Sequence, residues 1–308
     1  MKMFLWVLFF GFSSLTALDE HELEWKEGPS VQEYNSALQQ ALNAGNWWAV
    51  IDYANLISYN YATTAFAKEA SYFMGEAYFK LGYYEAANES FSAYLNHVVS
   101  PKHFEEAIEY KYSIAEAYAN GKNKRLFGSI KMPAWVPAKE DSIEIFDEVI
   151  AVSPHSDLAI RSLLYKARIQ TYLEDFKPSI ETLDVLIRRF PKHELAAEAY
   201  LEKSKVYLLQ CQAQNLDPEI LDLSLLNLRK FRLAFPREPR LEEAEKIYRD
   251  MQEIFGGSLY ETGYFFERTK KIPASILYYH KVIAKYPDTE AAHVSRKKLE
   301  TLESSPQL

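Results

Sequence analysis

The sequence predicts an all-α protein, a right-handed solenoid of about six helical hairpins or about twelve helices. Three observations predict it. From about Val31 onward, apolar residues recur at helical spacing in paired runs separated by short breaks. Glycine is scarce, at 10 residues in 308, and aromatic residues reach 15%, which suits many helices better than a glycine-rich sheet. Single prolines close successive runs at Ser153-Pro154, Phe190-Pro191, Phe235-Pro236 and Tyr286-Pro287. Proline cannot continue a helix, and it fixes the turn into the next unit.

Residues 1–17 read as a secretory signal peptide: Lys2 precedes an apolar run from Met3 to Phe12, small residues follow, and Asp19 and Glu20 come next. A bilayer core needs roughly 20 apolar residues, so the run is too short for a permanent span. Residues 18–29 read as a linker, residues 30–303 as the array and residues 304–308 as a tail. Within the array the second hairpin sets the register. Gly75 and Ala87 are small where paired helices approach, Tyr78 and Tyr84 are expected to fill the gap, and Gly82 permits the sharp turn. Aligned on it, the first-helix contact position falls at Leu38, Gly75, Ala115, Ala167, Ser204 and Gly263. The second-helix position falls at Val50, Ala87, Ser142, Ser179, Ser224 and Ser275. Pro178, Pro218 and Pro273 stand near the first turn of a second helix, where a missing N–H costs nothing. Residues 121–138 add an insertion that reads equally as a variable surface loop or as a partner contact through Lys124, Arg125 and Trp135. A shorter insertion at residues 212–217 carries no comparable signal.

Gly75-x-x-Tyr78 with Ala87, repeated with a terminal proline, resembles the tetratricopeptide repeat (TPR), a helix-turn-helix unit of about 34 residues. The match is specific in the second, fourth and sixth units, although Lys166 and Gln170 replace apolar residues in the fourth. Residues 259–292, with Tyr264-Phe265-Phe266, Ala274, Val282-Ile283 and Tyr286-Pro287-Asp288-Thr289, look like the last repeat of the BamD/ComL family of outer-membrane assembly lipoproteins. The insertion in the third unit is similarly placed in that family. The resemblance implies a periplasmic, non-enzymatic scaffold that binds components or clients of the β-barrel assembly machinery, a barrel insertase or its accessory proteins among them. This sequence departs from the family in having no lipobox cysteine and six hairpins rather than five. Membrane association is therefore expected to be indirect, and a periplasmic adaptor in cell-wall or division complexes is the alternative.

A formal charge of -8 and pI near 5.5 argue against nucleic acid, since neutralising phosphates needs a basic surface. No H-E-x-x-H, P-loop, G-x-S-x-G or C-x-x-C motif occurs, and His193-Glu194 lacks the second histidine of a zinc site. No cofactor, metal or small-molecule substrate is expected. Cys211 reads as a small buried hydrophobe, His155 and His193 as helix-entry residues, and the sequon at Asn88 is discounted because it falls inside a helix. Stacked hairpins line an inner face with their first helices, which fits an extended peptide or a loop of another protein. The groove positions are Tyr72, Glu76 and Phe79, then Tyr112 and Glu116, then Tyr260, Tyr264 and Glu267. Packing between neighbouring repeats is an equal reading for each tyrosine. Arg229, Lys230, Arg232, Arg237, Arg240 and Arg296 to Lys298 read as a solvated face or as contacts for acidic partner surfaces or lipid phosphates.

Overall fold

The computed structural model describes residues 29–97, 100–128, 130–213 and 217–304. The signal-peptide reading, most of the linker and nearly all of the tail fall outside the described residues.

Six hairpins follow in order: α1 (Val31–Asn43) with α2 (Trp47–Asn60), α3 (Ala65–Lys80) with α4 (Tyr84–His97), α5 (Phe104–Ala119) with α6 (Asp141–Val152), α7 (Asp157–Tyr172) with α8 (Phe176–Arg189), α9 (Glu194–Ala213) with α10 (Pro218–Ala234), and α11 (Arg240–Arg268) with α12 (Ile272–Lys285). Each helix packs on its sequence neighbours, and the first helices also meet from α3 to α5, α7 and α9. The apolar core therefore runs along the array as successive clusters rather than one centre.

The register read from the sequence holds in all six hairpins. Every aligned contact position is buried, from Leu38 and Val50 at 0% exposure to Ser204 and Ser224 at 1%. The reason is close approach. A Cβ on Gly75 would lie 2.8 Å from the Phe91 ring, and one on Gly263 would lie 2.9 Å from the Tyr279 ring. The gap at Gly75 is thus filled by Phe91, not by Tyr78 and Tyr84, because Phe91 lies one helical turn beyond Ala87 on the same face of α4. In the fourth hairpin the Ser179 hydroxyl donates to the Ala167 carbonyl at 2.9 Å. Its two polar departures are both satisfied: Gln170 accepts from Thr182 at 2.8 Å, and Lys166 donates to Asp147 at 2.6 Å. Lys203 repeats the second device one unit on, donating to Asp184 at 2.6 Å, so an ion pair clamps each of these hairpins to its predecessor.

The breaks follow local rules. The residues before the four unit-closing prolines share one backbone conformation, φ -134°, -128°, -136° and -132° at Ser153, Phe190, Phe235 and Tyr286. Proline pushes its predecessor out of the helical region, so each helix ends there. Inside the hairpins, Gly45, Gly82 and Gly121 take positive φ just after the first helix, as do Glu174 and Lys270. The next N–H then reaches back to close the helix, for example Tyr83 to Tyr78 and Asp175 to Gln170.

Three features go beyond the expected twelve helices. α13 (Glu290–Ser304) makes a thirteenth among the described residues. Only the stripe of Ala292, Ser295 and Leu299 is buried, so it ends the stack with a polar outer face. α11 spans 29 residues as one helix. Its midpoint, Gly256, meets the start of α13, where a Cβ would lie 3.2 Å from Thr289 Oγ1. The insertion forms a hairpin of β1 (Asn123–Arg125) and β2 (Ala134–Pro137), with Lys124 opposite Val136. It is folded onto the array: Arg125 stacks over Tyr83 at 4.6 Å, its backbone N–H donates to Glu85, and Lys124 pairs with Asp141.

Candidate protein-binding surface

The first helices bring the expected groove residues into three clusters. In the first, Tyr72 is 6% exposed, its ring stacked on His103 at 4.2 Å and tilted against Tyr94 at 5.5 Å. Burial and then Glu76 raise its phenol well above the ordinary range. Phe79 packs on Tyr110 at 4.9 Å, and Tyr110 donates its hydroxyl to Glu76 at 3.2 Å. Between α3 and α5 these rings flank an open cavity of about 280 Å³ lined by Tyr72, Phe79, Glu106, Glu109, Tyr110 and Ser113. Tyr72 is almost wholly buried here, whereas Phe79 and Tyr110 are half-buried walls.

The second cluster works differently. Tyr112 is 7% exposed and packs against Phe146 and Tyr165. Glu116 accepts from the Tyr165 hydroxyl at 3.0 Å and from Tyr112 at 3.4 Å. This carboxylate joins α5 to α7, so Tyr112 and Glu116 hold repeat to repeat rather than facing a groove. In the third cluster, Tyr260 and Tyr264 lie parallel at 6.2 Å, one helical turn apart on α11. Lys298 of α13 lies 5.2 Å over the Tyr264 ring and donates to Glu267 at 2.8 Å, and Tyr279 donates to the same carboxylate at 2.6 Å. Burial would raise the Glu267 carboxyl, but these donors outweigh it and hold it below its ordinary value. A cavity of about 340 Å³ opens beside them, lined by Glu267, Val294, Lys297, Lys298, Thr301 and Leu302.

Sequence reasoning missed Tyr110 and Tyr279 as members of these clusters. Tyr279 was findable, since it stands twelve residues after Glu267 at the position that Phe91 occupies in the second hairpin. Tyr110 carried no signal beyond its spacing. The insertion residues are divided: Lys124 and Arg125 are engaged as described, while Trp135 is 61% exposed. Of the other basic residues, Arg240 is bound to Glu238 and Arg232 to Glu245, each at 2.6 Å. Asn88 is drawn inward as an acceptor for Lys111 at 2.7 Å. His193 caps α9 by accepting from the Leu195 N–H at 3.1 Å. Cys211 is 3% exposed, and burial followed by Asp217 pushes its thiol up to about 11.

The sequence model described as tetratricopeptide repeat matches residues 161–193 and 257–289. The chain carries tetratricopeptide repeats. The matched segments are most of α7 with α8, and the second half of α11 with α12, the fourth and sixth hairpins of the register above. No curated protein matches the sequence. Similar solved structures include a MamA RS-1 double mutant, 14% identical over 70% of this chain and 94% of that one, at a TM-score of 0.36. YrrB, described as a TPR protein with an unusual peptide-binding site, is 13% identical over 70% and 100%, at 0.34. A tetratricopeptide repeat protein from Parabacteroides merdae is 11% identical over 89% and 99%, at 0.36. Scores this low leave the two matched segments and the buried register to carry the assignment. A TPR array is a protein-interaction scaffold, since its stacked hairpins present one continuous surface.

Proposed function

We propose that the chain is an exported, non-enzymatic scaffold that holds protein partners of outer-membrane β-barrel assembly against its first helices. The observation that carries the binding reading is the cleft between α3 and α5. There Glu106 and Glu109 are exposed beside the rings of Phe79 and Tyr110. Glu109 makes no side-chain hydrogen bond or ion pair among the described residues, and the ion pair of Glu106 is with His103, at 4.0 Å. An extended segment carrying Lys or Arg would gain charge pairing and ring contact there together. The setting in barrel assembly rests on the resemblance of residues 259–292 and on the export reading of residues 1–17.

The test is brief crosslinking in the native envelope followed by identification of what co-purifies, with Glu106→Lys/Glu109→Lys as the comparison. Recovery of a barrel insertase or its accessory proteins, weakened in the variant, supports the proposal. Recovery of wall-synthesis or division proteins favours the adaptor role, and recovery of cytosolic proteins alone refutes both.

A further inference from the structure

At the turns within the hairpins, aromatic rings and cations meet in two groups. Trp48, at the start of α2, packs 5.7 Å from Tyr83 in the turn between α3 and α4. Arg125 of β1 also meets that turn, 4.6 Å from the Tyr83 ring. Beyond β2, Lys139 lies 3.7 Å over Tyr172 at the end of α7. These two groups stand on either side of the insertion hairpin, and Trp48, Trp135 and Tyr172 are 47%, 61% and 69% exposed.

Charge is concentrated in the insertion itself. Residues 121–139 hold Lys122, Lys124, Arg125, Lys131 and Lys139 and no acidic residue, in a chain whose formal net charge is -8. Of the nearest acids, Asp141 pairs with Lys124 and Glu85 accepts from the Arg125 backbone, whereas Glu174 and Asp175 in the turn after Tyr172 are exposed. Glu140 and Glu144 stand at the base of the hairpin, around a cavity of about 630 Å³ that Lys124 and Lys139 also line. Lys131 is exposed with no ion pair among the described residues, and Lys122 faces only the Tyr84 ring, at 5.9 Å.

We infer that this region, led by the insertion hairpin, docks directly on an anionic lipid surface. Exposed Trp and Tyr among Lys side chains match the headgroup region, where amphipathic rings lie at the boundary and ammonium groups meet phosphates. The rings come from three different hairpins and do not line one common cavity, which suits an extended surface better than a protein hot spot. No described helix is long and apolar enough to cross a membrane. Docking would keep the scaffold at a membrane whichever protein its clefts hold.

The experiment is co-sedimentation of the full chain with vesicles of phosphatidylcholine alone or mixed with phosphatidylglycerol, for the parent, Lys122→Gln/Lys131→Gln and Trp135→Ala. Binding contributed by the apolar run of residues 3–12 is common to all three chains and cancels in the comparison. The expected result is tighter binding to the anionic vesicles, reduced by added salt, about thirtyfold weaker in the double lysine variant and several-fold weaker in Trp135→Ala. All three positions are exposed, so the variants retain the parent's helical circular dichroism. Equal binding to both vesicle types, or variants that bind anionic vesicles as the parent does, would overturn the inference. So would a photo-crosslinker at position 135 that captures an envelope protein while the chain ignores vesicles.

Discussion

Gly75→Ala and Gly257→Ala make opposite demands on the array. Both replace a helical glycine, and alanine in a helix interior is worth about 0.8–1 kcal/mol over glycine. At position 257 nothing lies within 4 Å of the added methyl, so the gain is kept. At position 75 the methyl would sit 2.8 Å from Phe91 Cε1 and 2.9 Å from two further ring atoms, where ordinary contact begins at 3.4 Å. Phe91 cannot swing aside, because it is 0% exposed and stacked on Tyr110 at 5.1 Å. α3 and α4 must therefore part by about half an ångström, an overpacking cost of about 1–3 kcal/mol. Gly75→Ala should accordingly destabilise its hairpin by up to about 2 kcal/mol, and Gly257→Ala should stabilise α11 by about 0.5–1 kcal/mol. A solenoid unfolds in units, so the assay is native-state amide exchange in α3 and α4, and in α11, rather than one global midpoint. Phe91→Leu combined with Gly75→Ala should recover part of the loss. Equal stabilisation by both alanines would refute the close approach and the register built on it.

Lys111 is 1% exposed, and its ammonium donates to Asn88 at 2.7 Å and Ser92 at 2.6 Å and pairs with Glu148 at 2.5 Å. Lys111→Ala should cost about 2–4 kcal/mol and Lys111→Met about half of that, because methionine keeps the volume and loses only the polar contacts; chemical denaturation of the two variants measures it. Glu174 takes φ 62° where three other hairpins use glycine, so Glu174→Gly should stabilise the α7–α8 turn by up to about 1 kcal/mol, seen as slower exchange there. Burial, and next Glu76 for Tyr110 and Asp184 for Tyr207, pushes both phenols up to about 12. The folded state holds these protons more tightly than the unfolded chain, so their contribution is full below about pH 10 and is lost as pH rises towards 12. Tyrosinate absorbance followed beside helical circular dichroism should show part of the 22 tyrosines ionising only as the array melts.

Most of the fold was legible because its signals are local. Ser153, Phe190, Phe235 and Tyr286 end their helices through the proline that follows each of them, whatever surrounds them. The small residues at Gly75, Ala167 and Gly263 state that a second helix comes close, although they do not name the ring that covers them. α13 was hidden for a related reason: only Ala292, Ser295 and Leu299 are buried, so its stripe is too thin to stand out from the polar face of Arg296, Lys297 and Lys298. The joined helix α11 was equally obscured, because Gly256-Gly257 looks like a break, whereas Gly256 alone is a contact point for the start of α13.

The binding surface was less legible than the fold. Tyrosine suits a groove wall and a repeat interface alike, since one end is apolar and the other hydrogen-bonds. Composition and spacing therefore place Tyr72, Tyr112 and Tyr264 on first helices without saying what each ring meets. Only the packing of α3 on α5 and of α5 on α7 decides that Tyr72 stacks on His103, that Glu116 ties Tyr112 to Tyr165, and that Glu109 is left facing the open cleft. The sequence by itself determined the hairpins and their register, because helix ends and close approaches are set within about 34 residues. Tertiary structure decided which polar groups are used up between repeats and which remain for a partner, because each repeat's neighbours supply or withhold the other half of every contact.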